Sequence, residues 1–260
     1  MNFSKEGIVK YLENSEKFNI TFLSETASTN ADLKELAKTG ADEGNVIIAE
    51  SQTGGRGRYD RKFYSPKGSG IYMSILLKPS LTASDSVLIT AAAAVAVRKS
   101  VFEVCGKDAK IKWVNDLYLD NKKICGILTE GSVNSETFKF NWAVLGIGIN
   151  VYTPENDFET EIKNIAGAIT DSREENLRSR LCARIINSFF EIYSSLEQKI
   201  FLNDYRSNSC VLNREITVIK NNEESGKAVA LDIDDDCRLL VRYENGSEEY
   251  LSSGEISIKM

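Results

Sequence analysis

Residues 46–63 read VIIAESQTGGRGRYDRKF, an apolar strand-like run followed by a loop in which glycines lie between arginines. Between Gly54 and Lys67 five basic residues accompany a single aspartate, a local charge of +4 in a chain of formal net charge -6. Glycines let backbone N–H groups approach a phosphate, and arginines bind its oxygens in pairs. The loop therefore favours a small anionic ligand over a polyanion, with a solvated surface turn as the alternative.

The composition is that of a globular protein. At 260 residues, 42% hydrophobic and 27% charged, we expect one large and one small domain. No stretch approaches the ~18 apolar residues of a membrane span, and the first residues lack the apolar core of a secretory signal. We therefore expect a cytoplasmic protein that does not bind a membrane. Five scattered cysteines without a CxxC pair favour buried free thiols over a zinc site or disulfides.

The sequence contains no histidine. This excludes imidazole as general base or metal ligand, and with it every Ser-His-Asp or Cys-His scheme. Catalysis would then depend on positioning and on fixed positive charge, which is typical of phosphoryl and adenylyl transfer.

Apolar periodicity predicts alternating helices and strands in the first 200 or so residues. Helices are predicted over 5–13, 28–38, 84–104 and 174–199, and strands over 18–23, 46–49, 71–77, 111–113, 117–119, 124–128 and 142–147. Gly40 and Gly106 are expected to end the second and third helices, and Asp120-Asn121 to turn a hairpin. The residues before the first strand are too few for a helix-turn-helix domain.

From about residue 210 the pattern changes to short alternating strands with turns such as Glu244-Asn245-Gly246 between them. Strands are predicted over 215–219, 226–233, 239–243, 248–251 and 256–258, which is typical of a small β-barrel. We place the boundary near Asn208, giving a catalytic domain over 1–208 and a C-terminal domain over 209–260.

Three polar clusters interrupt the apolar pattern: residues 28–30, residues 52–67, and residues 112–116 with a lysine pair just after them. The first could simply cap a helix, and the third could be a hairpin strand with a charged face. Within the pair we choose Lys123, because it adjoins an apolar run and Lys122 must point to the opposite face of a strand.

Two common phosphate motifs are missing. No GxxxxGK[ST] occurs, and Gly146-Ile147-Gly148-Ile149-Asn150-Val151 fails GxGxxG at its last position. The sequence thus argues against a P-loop or Rossmann enzyme.

Taken in order, the clusters resemble those of the biotin protein ligases. The matching segments are Ser28-Thr29-Asn30, Gly55-Arg56-Gly57-Arg58 with Arg61 and Ser65-Pro66-Lys67-Gly68, Lys112-Trp113-Val114-Asn115-Asp116, Lys123-Ile124-Cys125-Gly126-Ile127-Leu128, Gly146-Ile147-Gly148-Ile149-Asn150, and Gly254-Glu255-Ile256-Ser257. The resemblance extends from about Phe18 to the C-terminus. GRGR followed by KWxND at this separation is more specific than either motif alone.

The resemblance implies an α+β fold: a central mixed sheet with flanking helices, similar to class II aminoacyl-tRNA synthetases, and an SH3-like C-terminal β-barrel. It also implies a reaction in two steps. Biotin is activated by ATP, with Mg²⁺, to biotinyl-5′-AMP, and biotin is then transferred to a lysine of a biotin carboxyl carrier domain of a biotin-dependent carboxylase. Neither step needs a histidine or a protein nucleophile.

The same resemblance implies roles for individual residues. The biotin site would comprise Ser28, Thr29, Asn30, Gln52, Gly55, Arg56, Gly57, Arg58, Lys123 and Gly126. The ATP site would comprise Arg58, Arg61, Phe63, Lys112, Asn115, Asp116, Lys123 and Asn150. Catalytic roles fall to Lys123, Arg58 and Arg61, and Mg²⁺ would be held through the ATP phosphates near Asp116.

Two residues depart from the family pattern: Val114 stands where proline is common, and Phe63 where a tryptophan packs on the adenine. The winged helix by which many bacterial members bind DNA also has no counterpart, so we expect no DNA binding. A homodimer through the sheet edge is compatible with the resemblance.

The alternatives are a lipoate-type ligase of the same fold, a non-catalytic biotin sensor or repressor, and a homologue that binds nucleotide without turnover. The GRGR loop argues against the first alternative. We also expect this glycine-rich loop to be mobile when empty and to become ordered over the adenylate.

Overall fold

The computed structural model describes residues 3–220, 223–252 and 255–258. Its larger unit contains, in chain order, α1 (Lys5–Val9), β1 (Asn19–Leu23), α2 (Thr29–Lys38), β2 (Asn45–Ala49), β3 (Gly70–Leu77), α3 (Ser86–Cys105), β4 (Lys110–Lys112), β5 (Asp116–Leu119), β6 (Lys122–Val133), β7 (Phe140–Asn150), α4 (Leu177–Tyr193) and α5 (Leu202–Ser207). The seven strands form one sheet in the order β1-β2-β3-β7-β6-β5-β4. Strands β1 and β2 run parallel and the other neighbours are antiparallel, so the predicted mixed sheet is confirmed.

Helices cover both faces of this sheet. On one face α2 contributes Leu33 and Ala37 to a small cluster with Leu76 and Val144 of the sheet. On the other face α3 and α4 join a much larger core, to which β3 contributes Ile71 and Ile75. Alternate residues of a strand point to opposite faces, so β3 is buried along its whole length because each face has its own helices.

Several helix bounds differ from the prediction. The helix predicted over 5–13 ends at Val9, and the one predicted over 174–199 is α4, followed by a separate 3₁₀ turn at Leu196–Gln198. Asn176 adopts a left-handed conformation with φ of 61°, which prevents the helix from starting at residue 174. The hairpin strands β6 and β7 are in turn longer than predicted. At the β5–β6 turn, Asp120 and Asn121 both have positive φ, as the hairpin prediction requires.

The C-terminal unit is a five-stranded antiparallel sheet. It comprises β8 (Glu215–Lys220), β9 (Glu223–Ile233), β10 (Leu239–Tyr243), β11 (Glu248–Leu251) and β12 (Glu255–Ile258), in the order β11-β10-β9-β8-β12. All five predicted strands are present, in keeping with an SH3-like domain. The domain boundary near Asn208 remains a prediction, and Gly254, part of the quoted C-terminal match, lies outside the described residues.

The two units are joined by hydrogen bonds, one of which is buried. The indole N–H of Trp113 donates to the carbonyl of Cys237 at 2.9 Å, and both residues are almost fully buried. Arg206 of α5 donates to the carbonyl of Ile233 and to the carboxylate of Asp235, each at 2.5 Å. The C-terminal sheet is therefore held against the residues that follow β4.

The five cysteines are free thiols, but Cys105 and Cys210 are only partly buried, unlike the expectation for both. Across the described ranges, no helix combines the length and apolarity that a membrane crossing requires.

Candidate functional site

A cavity of about 130 Å³ opens on the α2 face of the sheet, beside the N-terminus of that helix. It is lined by Ser28, Thr29, Asn30, Gln52, Arg56, Gly57, Arg58, Arg61, Lys62, Phe63, Met73, Asn115, Asp116, Lys123, Gly126, Ile127, Leu128, Gly146, Ile147 and Gly148. The three polar clusters of the sequence thus meet in one place.

Glycines on neighbouring strands form the floor of the cavity. Gly146 and Gly148 of β7 alternate with core isoleucines, and Gly148 pairs with Gly126 of β6. A Cβ atom at Gly146 would overlap the amide of Asn30, and one at Gly148 would lie 2.7 Å from the ring of Phe63. Real Cβ atoms do not approach other atoms this closely, so a larger residue at either position would have to displace Asn30 or Phe63.

A neutral polar wall is built from α2 and the segment after β2. The backbone N–H and the hydroxyl of Thr29 both donate to Gln52 Oε1, at 2.9 and 3.1 Å, and Gln52 Nε2 donates to Ser65 Oγ at 3.0 Å. Ser28 caps the helix, its hydroxyl accepting from the N–H of Ala31. The capping interpretation and a site role are therefore compatible for residues 28–30, because the cap places the next two side chains at the cavity.

Asn30 is held by two residues that do not line the cavity. The hydroxyl of Ser74, which is fully buried on β3, donates to Asn30 Oδ1 at 2.5 Å. Asn30 Nδ2 donates to Glu130 Oε2 at 2.8 Å, and the other oxygen of Glu130 accepts from Lys34 Nζ at 2.7 Å. Burial raises the pKa of Glu130, but the bonds from Lys34 and Asn30 outweigh it, so the pKa lies below its usual value.

Cationic side chains approach the cavity from the basic loop and from β6. Lys123 Nζ forms an ion pair with Asp116 Oδ1 at 2.7 Å, both side chains being largely buried. Lys122 points elsewhere and donates to the carbonyl of Asn164 at 2.7 Å. The choice of Lys123 within the lysine pair thus agrees with the geometry.

The basic loop folds back on itself as a tight hairpin. The N–H of Gly57 donates to the carbonyl of Arg61 at 2.7 Å, and the N–H of Phe63 to that of Gly55 at 2.9 Å. Arg58 Nη1 then donates to Asn115 Oδ1 at 3.2 Å, linking the loop to the segment between β4 and β5.

Asn115 uses both ends of its amide. Its Nδ2 donates to the carbonyl of Ile127 and to Asp116, while its Oδ1 accepts from Arg58. Just before it, the peptide bond between Trp113 and Val114 is cis. The KWxND segment therefore fixes the outer edge of the cavity and positions the side chain of Arg58.

Most of the predicted site residues line the cavity; Gly55, Lys112 and Asn150 do not. Gly55 is part of the loop itself, and a Cβ there would lie 2.5 Å from the carbonyl oxygen of Phe63. The ammonium of Lys112 lies 5.3 Å from the ring centroid of Tyr118. Asn150 Nδ2 donates to the carbonyl of Gly167 at 3.0 Å, which holds the segment that pairs with the backbone of Lys123.

Gly146 and Gly148 were not predicted as site residues from the sequence, and neither were Lys62, Ser74 and Glu130. The alternation of glycine with isoleucine in GIGI was the available signal, because it predicts a strand with one core face and one open face. Glu130 gave no such signal, since its contact with Asn30 spans 100 residues.

Comparison with known proteins agrees with this arrangement. Residues 21–150 match the Biotin/lipoate A/B protein ligase family, and residues 211–259 match the Biotin protein ligase C terminal domain. The Bifunctional ligase/repressor BirA of Bacillus subtilis is 37% identical over 168 residues, covering 64% of this chain and 51% of the relative. The chain thus matches about half the length of the first such relatives.

Other relatives are covered over nearly their whole length. The Biotin--[acetyl-CoA-carboxylase] ligase of Mycobacterium tuberculosis is 28% identical over 254 residues, covering 90% of this chain and 86% of the relative. The structure of a biotin protein ligase from Aquifex aeolicus, in complex with biotin and ATP, has a TM-score of 0.75 at 26% identity, covering 93% of this chain and 98% of that one. The chain belongs to the biotin/lipoate A/B protein ligase family.

Proposed function

We propose that this protein is a biotin protein ligase that activates biotin with ATP and transfers it to a lysine of a biotin carboxyl carrier domain. The observation that carries the proposal is a single cavity in which a neutral polar wall adjoins the cations Lys123, Arg58 and Arg61. Asn30 meets Gly146 and the ring of Phe63 meets Gly148, two residues further along β7. These two points of contact on β7 are therefore roughly 7 Å apart along the strand.

The polar wall suits the bicyclic head of biotin. A ureido group offers two N–H donors and one carbonyl acceptor, and the amides of Asn30 and Gln52 offer both kinds of partner. The dithiolane ring of lipoate has no N–H or carbonyl group, so it would leave such a wall without partners at a cost. This favours biotin over the lipoate-type alternative.

The cations suit the first step of the reaction. The carboxylate of biotin attacks the α-phosphorus of ATP, the bond from that phosphorus to the bridging oxygen breaks, and pyrophosphate leaves. Lys123 would contact the biotin carboxylate and the α-phosphate, neutralising the charge that develops between them, while Arg58 and Arg61 would bind the phosphates. The ion pair with Asp116 orients the side chain of Lys123.

Mg²⁺ would arrive bound to ATP, which supplies most of its oxygen ligands. One carboxylate in the cavity lining, that of Asp116, fits this arrangement because Mg²⁺ in nucleotide sites is commonly held by one or two carboxylates and the substrate phosphates.

In the second step the amine of a carrier lysine attacks the carbonyl carbon of the mixed anhydride and AMP leaves. The acceptor is proposed from the relatives that are named biotin--[acetyl-CoA-carboxylase] ligases. A cytoplasmic location, the absence of DNA binding and a homodimer remain predictions.

Pyrophosphate exchange tests the first step separately. With biotin, Mg²⁺, ATP and labelled pyrophosphate, we expect label to enter ATP only when biotin is present, because only then does the adenylate form reversibly. Lipoate at the same concentration serves as the matched comparison. Exchange that requires lipoate instead of biotin would show that lipoate is the substrate. If neither biotin nor lipoate supports exchange, the proposed activity is contradicted.

A further inference from the structure

Glu130 lies next to the cavity without lining it, and its side chain contacts a residue that does. Its carboxylate has one oxygen on the amide of Asn30 and the other on the ammonium of Lys34. The side chains of Glu130 and Lys34 are mostly shielded from water. The positive charge of Arg56, on the basic loop, also lowers the pKa of Glu130.

The contacts of Asn30 allow its amide only one orientation. An ionised carboxylate accepts hydrogen bonds and cannot donate, so the group that faces Glu130 must be the NH₂ of Asn30. The carbonyl oxygen then faces Ser74, whose hydroxyl donates to it at 2.5 Å. Rotating the amide by half a turn would put two acceptors against each other at Glu130, a loss that burial makes larger.

The amide of Asn30, fixed in this orientation, can still donate one hydrogen bond and accept one. The NH₂ group has two protons and uses one on Glu130, while the carbonyl oxygen has two lone pairs and uses one on Ser74. Asn30 also lines the cavity. A ligand in the cavity therefore meets one donor and one acceptor in a set order.

We infer that Glu130 is a positioning residue that sets the specificity of the cavity by fixing which end of the Asn30 amide meets the ureido head of biotin. This rests on the proposed function, since it assumes that biotin is the ligand of the polar wall. Glu130 itself touches neither substrate. Its effect must therefore act through Asn30, and a mutational cycle can detect that dependence.

The test measures the affinity for biotin and for ATP by calorimetry in Glu130→Leu, Glu130→Gln, Asn30→Ala and the double variant Asn30→Ala/Glu130→Leu. We expect Glu130→Leu to weaken biotin binding roughly tenfold, because a charge-assisted contact that orients the amide is lost. Glu130→Gln should lose less, since it keeps one acceptor oxygen. ATP binding should be unchanged in both, which also shows that each variant is folded.

One control separates positioning from general destabilisation. Glu136 is exposed on the same hairpin, and Glu136→Gln should bind biotin as the wild type does.

The double variant is decisive. In the Asn30→Ala background, replacing Glu130 should bring no further loss of biotin affinity. An equal loss in both backgrounds, or no loss in Glu130→Leu alone, would overturn the inference. A wild-type protein that binds ATP but not biotin would instead overturn the proposed function, and this inference with it.

Discussion

Lys123 and Lys122 are neighbours in the sequence, but only Lys123 lines the cavity. Lys123 forms its ion pair with Asp116 inside the cavity, while Lys122 is held by backbone carbonyls of residues 163 and 164. Two adjacent lysines with the same charge therefore provide a matched pair for mutagenesis.

We predict that Lys123→Ala slows formation of the adenylate on the order of 10² to 10³, because one fixed charge beside the developing charge is lost. Lys122→Ala should leave the rate within about twofold of the wild type. Single-turnover release of pyrophosphate measures this step directly. An unchanged rate in Lys123→Ala would show that another group supplies the central charge.

Gly146 sets the depth of the cavity at the polar wall. We predict that Gly146→Ala weakens biotin binding by at least tenfold, since the new methyl group overlaps the amide of Asn30 and must displace it. Ile149→Val, three residues along β7 on the core face and outside the cavity lining, should cost about 1 kcal/mol of stability and little affinity. Biotin titrations of both variants test this, and equal affinities would refute a close approach at Gly146.

At the scale of elements, the basic loop is anchored to the β4–β5 segment by the bond from Arg58 to Asn115. This part-buried hydrogen bond by itself contributes about 1 kcal/mol. The mobility of the empty loop stays a prediction.

We predict that biotin and ATP together slow tryptic cleavage at Arg56, Arg58 and Arg61, and that Asn115→Ala speeds cleavage of the ligand-free protein. The substitution removes the hydrogen bond from Arg58 to Asn115 and should let the loop open more often. Cleavage sites are identified by mass spectrometry over a time course. Cleavage that is indifferent both to the ligands and to Asn115 would mean that the loop neither closes nor depends on this anchor.

Local patterns explain which elements the sequence could predict. Helix α2, its Ser28 cap and the turn at residues 120–121 depend on neighbouring residues, and each prediction agrees with the structure. The extent of α4 depended on Asn176 adopting a left-handed conformation, which its residue type permits but does not require. The predicted start of that helix was therefore wrong, and its predicted end at residue 199 was wrong as well.

At the scale of the whole molecule, the sheet register decides what else belongs to the site. Ser74 reaches Asn30 across 44 residues and Glu130 reaches it across 100. No spacing rule within one segment connects such residues, so the clusters themselves could be predicted while the residues that orient them could not.

The contact between the two units should contribute measurably to stability. We predict that Trp113→Phe lowers the free energy of unfolding by about 1–3 kcal/mol, because the buried carbonyl of Cys237 loses its donor. Trp142→Phe, at a half-buried site on β7, should cost less. Urea unfolding of the two variants measures the difference, and equal midpoints would mean that the inter-unit bond contributes nothing.

Transfer of biotin to a carrier domain tests whether this protein is a biotin protein ligase. The protein is incubated with biotin, ATP, Mg²⁺ and a biotin carboxyl carrier domain, and the carrier is examined by mass spectrometry. We predict one biotin on one carrier lysine, dependent on ATP and strongly slowed in Lys123→Ala. A carrier that a known biotin protein ligase labels, but that this protein leaves unmodified, would contradict the proposed function.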